Sequence, residues 1–259
     1  MSINIAVAGK GGTGKTSITS LVIRYLLRNG LGSVLAVDAD PNSNLAENLG
    51  LEVNNTVGRI LNSFQGDKLS IPAGMTKESY LEYQLNLAIT EARGMDLITM
   101  GRGEGPECYC YPNVVIRKLI DEWSGNYAYT VMDNEAGLEH LSRRTTQNID
   151  ELLLVSDHSI KGLRAVARVR DLVKELKLIV KRETLIINMA PDGKIDPLLA
   201  REMERLELKD PTVVPADEDL KRADLEQTPL YDLPDSAPAV AAVNDLMDHL
   251  LSRSNAPVA

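Results

Sequence analysis

The sequence predicts an α/β protein: a single doubly wound, mostly parallel sheet with helices on both faces, forming one domain over residues 1–259. Three observations predict it. First, an apolar run from Ile3 to Ala8 leads straight into Gly9-Lys10-Gly11-Gly12-Thr13-Gly14-Lys15-Thr16, which fits G-x-x-x-x-G-K-[ST] at every fixed position and precedes a helix-patterned segment. Second, the apolar run Ser33 to Val37 follows that segment, completing a strand–helix–strand unit whose crossover is right-handed in a parallel sheet. Third, aromatic residues make up only 4% of the chain, so the core must be Val, Ile, Leu, Ala and Met, which suits strands buried on both faces.

At 259 residues and 44% hydrophobic content, the chain is long enough to cover both faces of such a sheet. A formal charge of −9 and a pI near 5.0 argue against nucleic acid or an anionic membrane surface as partner. The start, Met1 to Asn4, has no basic stretch followed by an apolar one, and no apolar run approaches the roughly 20 residues that span a bilayer. These features predict a cytoplasmic protein, where a disulfide between the only two cysteines, Cys108 and Cys110, is not expected.

The glycine-rich string wraps a polyphosphate with inward-pointing N–H groups, close to a helix N-terminus whose dipole favours anions. Gly9, Gly11, Gly12, Thr13, Gly14, Lys15, Thr16 and Ser17 are therefore the candidate nucleotide-binding residues, with Lys15 on the β and γ phosphates and Thr16 a magnesium ligand. Helical spacing runs from Ile18 to Arg28 and stops at Asn29-Gly30. The second strand ends in Asp38-Ala39-Asp40, placing two carboxylates at the sheet edge where open α/β sheets bind ligands; the same residues also suit a capped turn.

Thr56–Phe64 and Glu78–Arg93 have helical patterns, and Met95–Met100 reads as the third strand. A glycine-rich loop follows, then Cys108-Tyr109-Cys110 between Pro106 and Pro112. In an extended segment both sulfurs face one side, which suits a metal ion, whereas a disulfide across one residue is strained. Val114–Trp123 reads as helix and Tyr127–Met132 as strand, closing in Asp133 with Gly137 four residues on. That pairing suits a second magnesium contact and a backbone N–H that follows the γ-phosphate. Glu151–Ser156 and Thr184–Met189 are further strands, Ile160–Leu178 a helix, and Ser236–Leu251 a docking helix. His140, His158 and His249 are scattered and read as surface or supporting residues.

The loop as a whole, with Lys10 inside it, resembles the deviant Walker A motif of the MinD/ParA/nitrogenase-iron-protein class of P-loop ATPases. The resemblance implies a magnesium-dependent ATPase that binds ATP or ADP and works as a nucleotide-dependent homodimer, in which Lys10 reaches the nucleotide of the other subunit. It assigns catalysis to Lys10, Lys15 and Asp40, with Asp40 orienting water and Asp38 and Asp133 in the magnesium shell. It also implies adenine contacts at Asn188 and in the segment from Val213 to Leu220, through Pro215 and Asp217. Many relatives carry Pro where this chain has Glu135.

Within that class, the order of phosphate loop, acidic strand end, C-x-C tract and second acidic strand end resembles the CooC-type ATPases. These serve nickel insertion into carbon monoxide dehydrogenase, and a close relative serves acetyl-CoA synthase. That resemblance implies Ni²⁺ or Zn²⁺ on Cys108 and Cys110, shared across the dimer, and such a nickel enzyme as client. One alternative is an iron–sulfur electron-transfer ATPase, disfavoured because no cysteine lies between Asp133 and Arg144. Another is a MinD/ParA-like positioning ATPase, which needs a basic patch or tail where this chain has Asp245 and Asp248.

Overall fold

The computed structural model describes residues 2–65, 71–102, 122–134 and 148–254. In chain order its strands are β1 (Ile3–Gly9), β2 (Val34–Asp38), β3 (Thr90–Ala92), β4 (Met95–Thr99), β5 (Tyr129–Asp133), β6 (Asn148–Asp157), β7 (Ile179–Ala190) and β8 (Thr212–Pro215). They form one sheet in the order β3-β4-β2-β5-β1-β6-β7-β8. Every neighbouring pair is parallel except β3 with β4.

Alternation along the central strands explains the two covered faces, since successive side chains point to opposite sides of a sheet. Ile5 and Val7 of β1, Val34 and Ala36 of β2, and Leu153 and Val155 of β6 face one core. Helices α1 (Lys15–Arg28), α2 (Leu45–Asn48), α7 (Glu218–Glu226) and α8 (Pro238–Ser254) cover that side. Their sequence neighbours Ala6, Ala8, Leu35, Val37, Leu152 and Leu154 face the other core. There the cover is α3 (Val57–Gln65), α4 (Lys77–Asn86), α5 (Ile160–Glu175) and α6 (Pro197–Arg205). All five residues of β2 are buried, which is why that strand reads as an unbroken apolar run.

One expectation is corrected: Glu78–Arg93 is not a single helix. The helix ends at Asn86, and the chain then forms β3, which doubles back on β4 through Arg93-Gly94, with Gly94 at φ +80°. Only a left-handed residue closes so tight a turn, and Gly adopts that conformation without strain. Met95–Thr99 is consequently the fourth strand. Helices α6 and α7 were not expected; β7 begins at Ile179, earlier than its apolar centre suggested, because its outer half alternates exposed and half-buried residues. The expected helix from Val114 falls outside the described residues except at its end.

Helix α1, which carries the phosphate loop, is anchored from behind. The fully buried Arg24 donates from Nε to Tyr231 O at 3.2 Å and from Nη2 to Leu233 O and Asp235 Oδ1, both at 2.6 Å, and Tyr25 donates its hydroxyl to Asp248 on α8. Among the described residues no helix is long and apolar enough to cross a membrane.

A candidate nucleotide site at the strand ends

The carboxyl ends of β1, β2 and β5 lie side by side, so the sheet gathers the loop after β1 and the acids closing β2 and β5 at one edge. Within the loop the Lys10 carbonyl is a hub. It accepts the Thr13 hydroxyl at 2.8 Å and the Lys15 ammonium at 3.3 Å. Two glycines are dictated by what surrounds them. A Cβ at Gly9 would sit 2.1 Å from Val155 O on β6, and one at Gly14, where φ is +82°, would sit 2.3 Å from Asn188 Nδ2. Asn188 is drawn in because its amide donates to Thr13 O at 2.9 Å, fastening the end of β7 to the loop.

Helix α1 starts at Lys15 with no side-chain cap and no acidic residue in its first turn. Its terminal N–H groups thus face the loop without an internal competitor, the arrangement that receives phosphate. Lys15 is buried, whereas Lys10, Gly11 and Gly12 are exposed at the rim. Lys10 therefore stands at the open rim of the loop, accessible to solvent.

Asp38 and Asp133 are register partners on adjacent strands, and both are buried. Asp133 accepts the Thr16 hydroxyl at 2.7 Å through Oδ2 and the Thr19 hydroxyl at 3.2 Å through Oδ1. Asp38 accepts backbone N–H groups from Asp40 at 3.1 Å and Leu45 at 3.0 Å. Burial, and then the charge of Asp133, push Asp38 up to about 7. Burial likewise pushes Asp133 up to about 6, against the opposing pull of the Thr16 hydroxyl and the Lys15 charge. Two carboxylates held this close away from water call for a cation. Asp40 is half-buried, and its Oδ1 accepts the Asn42 N–H at 2.8 Å.

The donors here are a hydroxyl and carboxylates, hard oxygen ligands of the kind magnesium selects, so the residues fit that ion beside a nucleotide. Thr16 spends its proton on Asp133 and keeps lone pairs for a metal. Asp217 is differently placed. Its Oδ1 caps α7 through the N–H of Asp219 and Leu220, and its Oδ2 accepts Ala239 N at 2.8 Å at the start of α8. Pro215 ends β8 and pairs with Ala190. Asn188 lies next to the phosphate loop, with its amide nitrogen already engaged.

Cys108, Cys110 and Gly137 lie outside the described residues, as does His140. Among the described residues no cluster of three or more His, Cys, Asp or Glu side chains forms a transition-metal site. Two contributors were not anticipated. Thr19 stands one helical turn after Thr16 on the same face, a spacing that could have marked it. Asn134 holds Val7 O through its amide at 2.9 Å, a cross-strand contact with no signature in the sequence.

A glycine loop on a helix start, a buried lysine and a pair of carboxylates at adjacent strand ends define a P-loop nucleotide-binding protein. The CobQ/CobB/MinD/ParA nucleotide binding domain model, CbiA, matches residues 5–230, and the chain belongs to that family. An uncharacterised ATP-binding protein of Methanocaldococcus jannaschii is 38% identical over 251 residues, covering 96% of this chain and 98% of that protein. The carbon monoxide dehydrogenase accessory protein CooC of Rhodospirillum rubrum is 28% identical over 185 residues, covering 67% of this chain and 70% of its own length. Among solved structures, a ParA family ATPase from Chlorobium tepidum superposes with a TM-score of 0.74 at 22% identity, over 96% of this chain and 98% of the other. The likeness to ParA is one of fold.

Proposed function

We propose that this ATPase hydrolyses ATP with magnesium and acts, as a homodimer, in nickel insertion into carbon monoxide dehydrogenase or the related acetyl-CoA synthase. The hydrolytic half rests on the buried Asp38 and Asp133 pair set beside Lys15, Thr16 and the phosphate loop. The nickel half rests on Cys108-Tyr109-Cys110, on the relationship to CooC and on the absence of a cysteine between Asp133 and Arg144.

Magnesium, when bound with the nucleotide, neutralises charge on the β and γ phosphates. Lys15 leaves the Lys10 carbonyl to take phosphate oxygens, and the N–H groups of the loop and of the first turn of α1 hold the rest. The Thr16 hydroxyl stays oriented by Asp133. The free oxygen of Asp40 orients a water whose oxygen bonds to the γ-phosphorus as the β–γ bridge breaks, yielding ADP and phosphate. Lys10 of each chain completes the site of the other, which makes turnover depend on dimerisation. Cys108 and Cys110 of two chains related by a twofold axis would supply four thiolates, a donor set that suits Zn²⁺ or Ni²⁺.

The test is metal analysis of the reduced protein with sedimentation. One tightly bound Zn²⁺ or Ni²⁺ per two chains, lost in Cys108→Ala and in Cys110→Ala, is expected. One metal per monomer removes the shared site, and visible iron–sulfur charge-transfer bands after anaerobic purification remove the nickel reading in favour of electron transfer.

A further inference from the structure

The polar row at the strand ends extends beyond the nucleotide site. Asp133, Asp38 and Thr99 are register partners across β5, β2 and β4, so their side chains share the face covered by α1 and α2. The first two are satisfied, Asp133 by hydroxyls and Asp38 by backbone N–H groups. Thr99 is not. Thr99 is 1% exposed, and its buried hydroxyl has no hydrogen-bond partner. Native structures rarely leave such a group unpaired, and a water or a ligand group in the adjoining space can answer it.

Thr99 lies on the wall of a cleft of about 550 Å³ on the far side of the Asp40 segment from the phosphate loop, with Arg59 and Arg102 also on its lining. Both arginines are exposed, and among the described residues neither has a carboxylate partner. Arg102 makes a long 3.3 Å contact to the Asn42 side-chain oxygen. In a chain of net charge −9, the two arginines leave this cleft with more cationic than anionic groups on its lining. The single carboxylate on the lining, Glu47, belongs to the wall shared with a separate cleft beside Thr16 and Ser17.

We propose that this cleft binds a small oxyanion, a phosphate or carboxylate group gripped by the forks of Arg59 and Arg102, with the Thr99 hydroxyl donating to it. Guanidinium groups match both anions in planar, two-point geometry. Pro41 and Ser43, one and three residues after Asp40, also line the cleft, so occupancy bears on the segment that carries Asp40. Coupling of this kind is reciprocal: an anion that steadies the nucleotide-bound form of that segment is itself bound more tightly when nucleotide is present.

The experiment follows the Arg59 and Arg102 Nε–H signals by NMR while titrating inorganic phosphate and, separately, malonate. The protein is first saturated with Mg²⁺ and a non-hydrolysable ATP analogue, so that the phosphate loop is occupied. Saturable shifts of both signals are expected, and the tighter probe identifies phosphate or carboxylate as the source. Thr99→Val is expected to bind the anion about tenfold more weakly, the loss of one charge-assisted hydrogen bond, with analogue affinity measured in the absence of the anion unchanged. Arg59→Gln combined with Arg102→Gln, in which the cleft is followed through the backbone N–H signals of Thr99 and Gly101 on its lining, is expected to abolish the saturable component. Shifts that grow linearly with both probes overturn the proposal, as does saturable binding that survives in both variants. Failure of the analogue to bind would tell against the ATPase reading instead; the titration then runs on nucleotide-free protein, where the two arginine signals still report the cleft.

Discussion

The Thr16 hydroxyl donates to Asp133 Oδ2 at 2.7 Å, so the first turn of α1 is tied directly to the end of β5. Thr19 repeats the tie one turn on, bridging Asp133 Oδ1 at 3.2 Å and Lys15 O at 2.9 Å. Replacing Thr19 with Val removes a hydrogen bond to a buried carboxylate and is expected to cost roughly 1–3 kcal/mol in urea unfolding. Nucleotide affinity, measured calorimetrically, should fall less than in Thr16→Val, because Thr19 supports the carboxylate without facing a metal. An equal loss in the two variants would place Thr19 in the site itself.

Gly14→Ala tests how far the loop depends on its left-handed residue. The new methyl would meet Asn188 Nδ2 at 2.3 Å, and φ at +82° is strained for any side chain. The expected cost is about 1–3 kcal/mol, with ADP affinity falling as the loop shifts. Adding Asn188→Ala to the variant should relieve the clash while leaving the dihedral strain, so a double variant no more stable than the single one would assign the whole effect to φ.

Asp38 and Asp133 also set a pH dependence. The unfolded chain releases their protons near pH 4, whereas the folded, metal-free protein holds them until about pH 7 and about pH 6 respectively. Between those limits the folded state binds more protons, so stability contributed by the pair is present at low pH and is lost as pH rises through the folded values. In EDTA, the urea midpoint of the parent should decline more steeply from pH 5 to pH 8 than that of Asp38→Asn, by an amount worth at most on the order of 3 kcal/mol. Parallel profiles would show that the pair does not titrate in this range. Mg²⁺ with ADP should flatten the parent profile, since the cation takes the place of the protons.

Lys10→Ala is expected to leave ADP binding by the monomer intact and to abolish the ATP-induced dimer on gel filtration. The Lys10 side chain is exposed, and the contacts that shape the loop run through its backbone carbonyl, which the substitution keeps. A variant that still dimerises with ATP would remove Lys10 from the neighbouring site.

Much of the site could be read from the chain because its parts are local. Strand, glycine loop and helix follow one another without interruption, and the apolar runs closing in Asp38 and Asp133 put those acids at the sheet edge wherever the strands pair. What could not be read depends on pairing itself. Thr99 joins Asp38 and Asp133 only once β4 lies beside β2 in register, and Asn188 meets Thr13 only because β7 ends next to the phosphate loop. Thr90–Ala92 has no strand signature of its own; the turn at Gly94 makes it a strand. Asp217, read from sequence in an adenine loop, has both oxygens taken up by backbone N–H groups of two helix starts, a task that needs the tertiary fold to be seen.

The short antiparallel β3 carries a consequence for how the protein behaves at high concentration. It closes one side of the sheet with three residues, and its central side chain, Glu91, is exposed. An incoming chain would find too few free backbone groups there to zip onto, and would have to approach a carboxylate to reach them. Fibril-like growth is thereby discouraged at this border, because strand addition there has neither the length nor the bare backbone it requires.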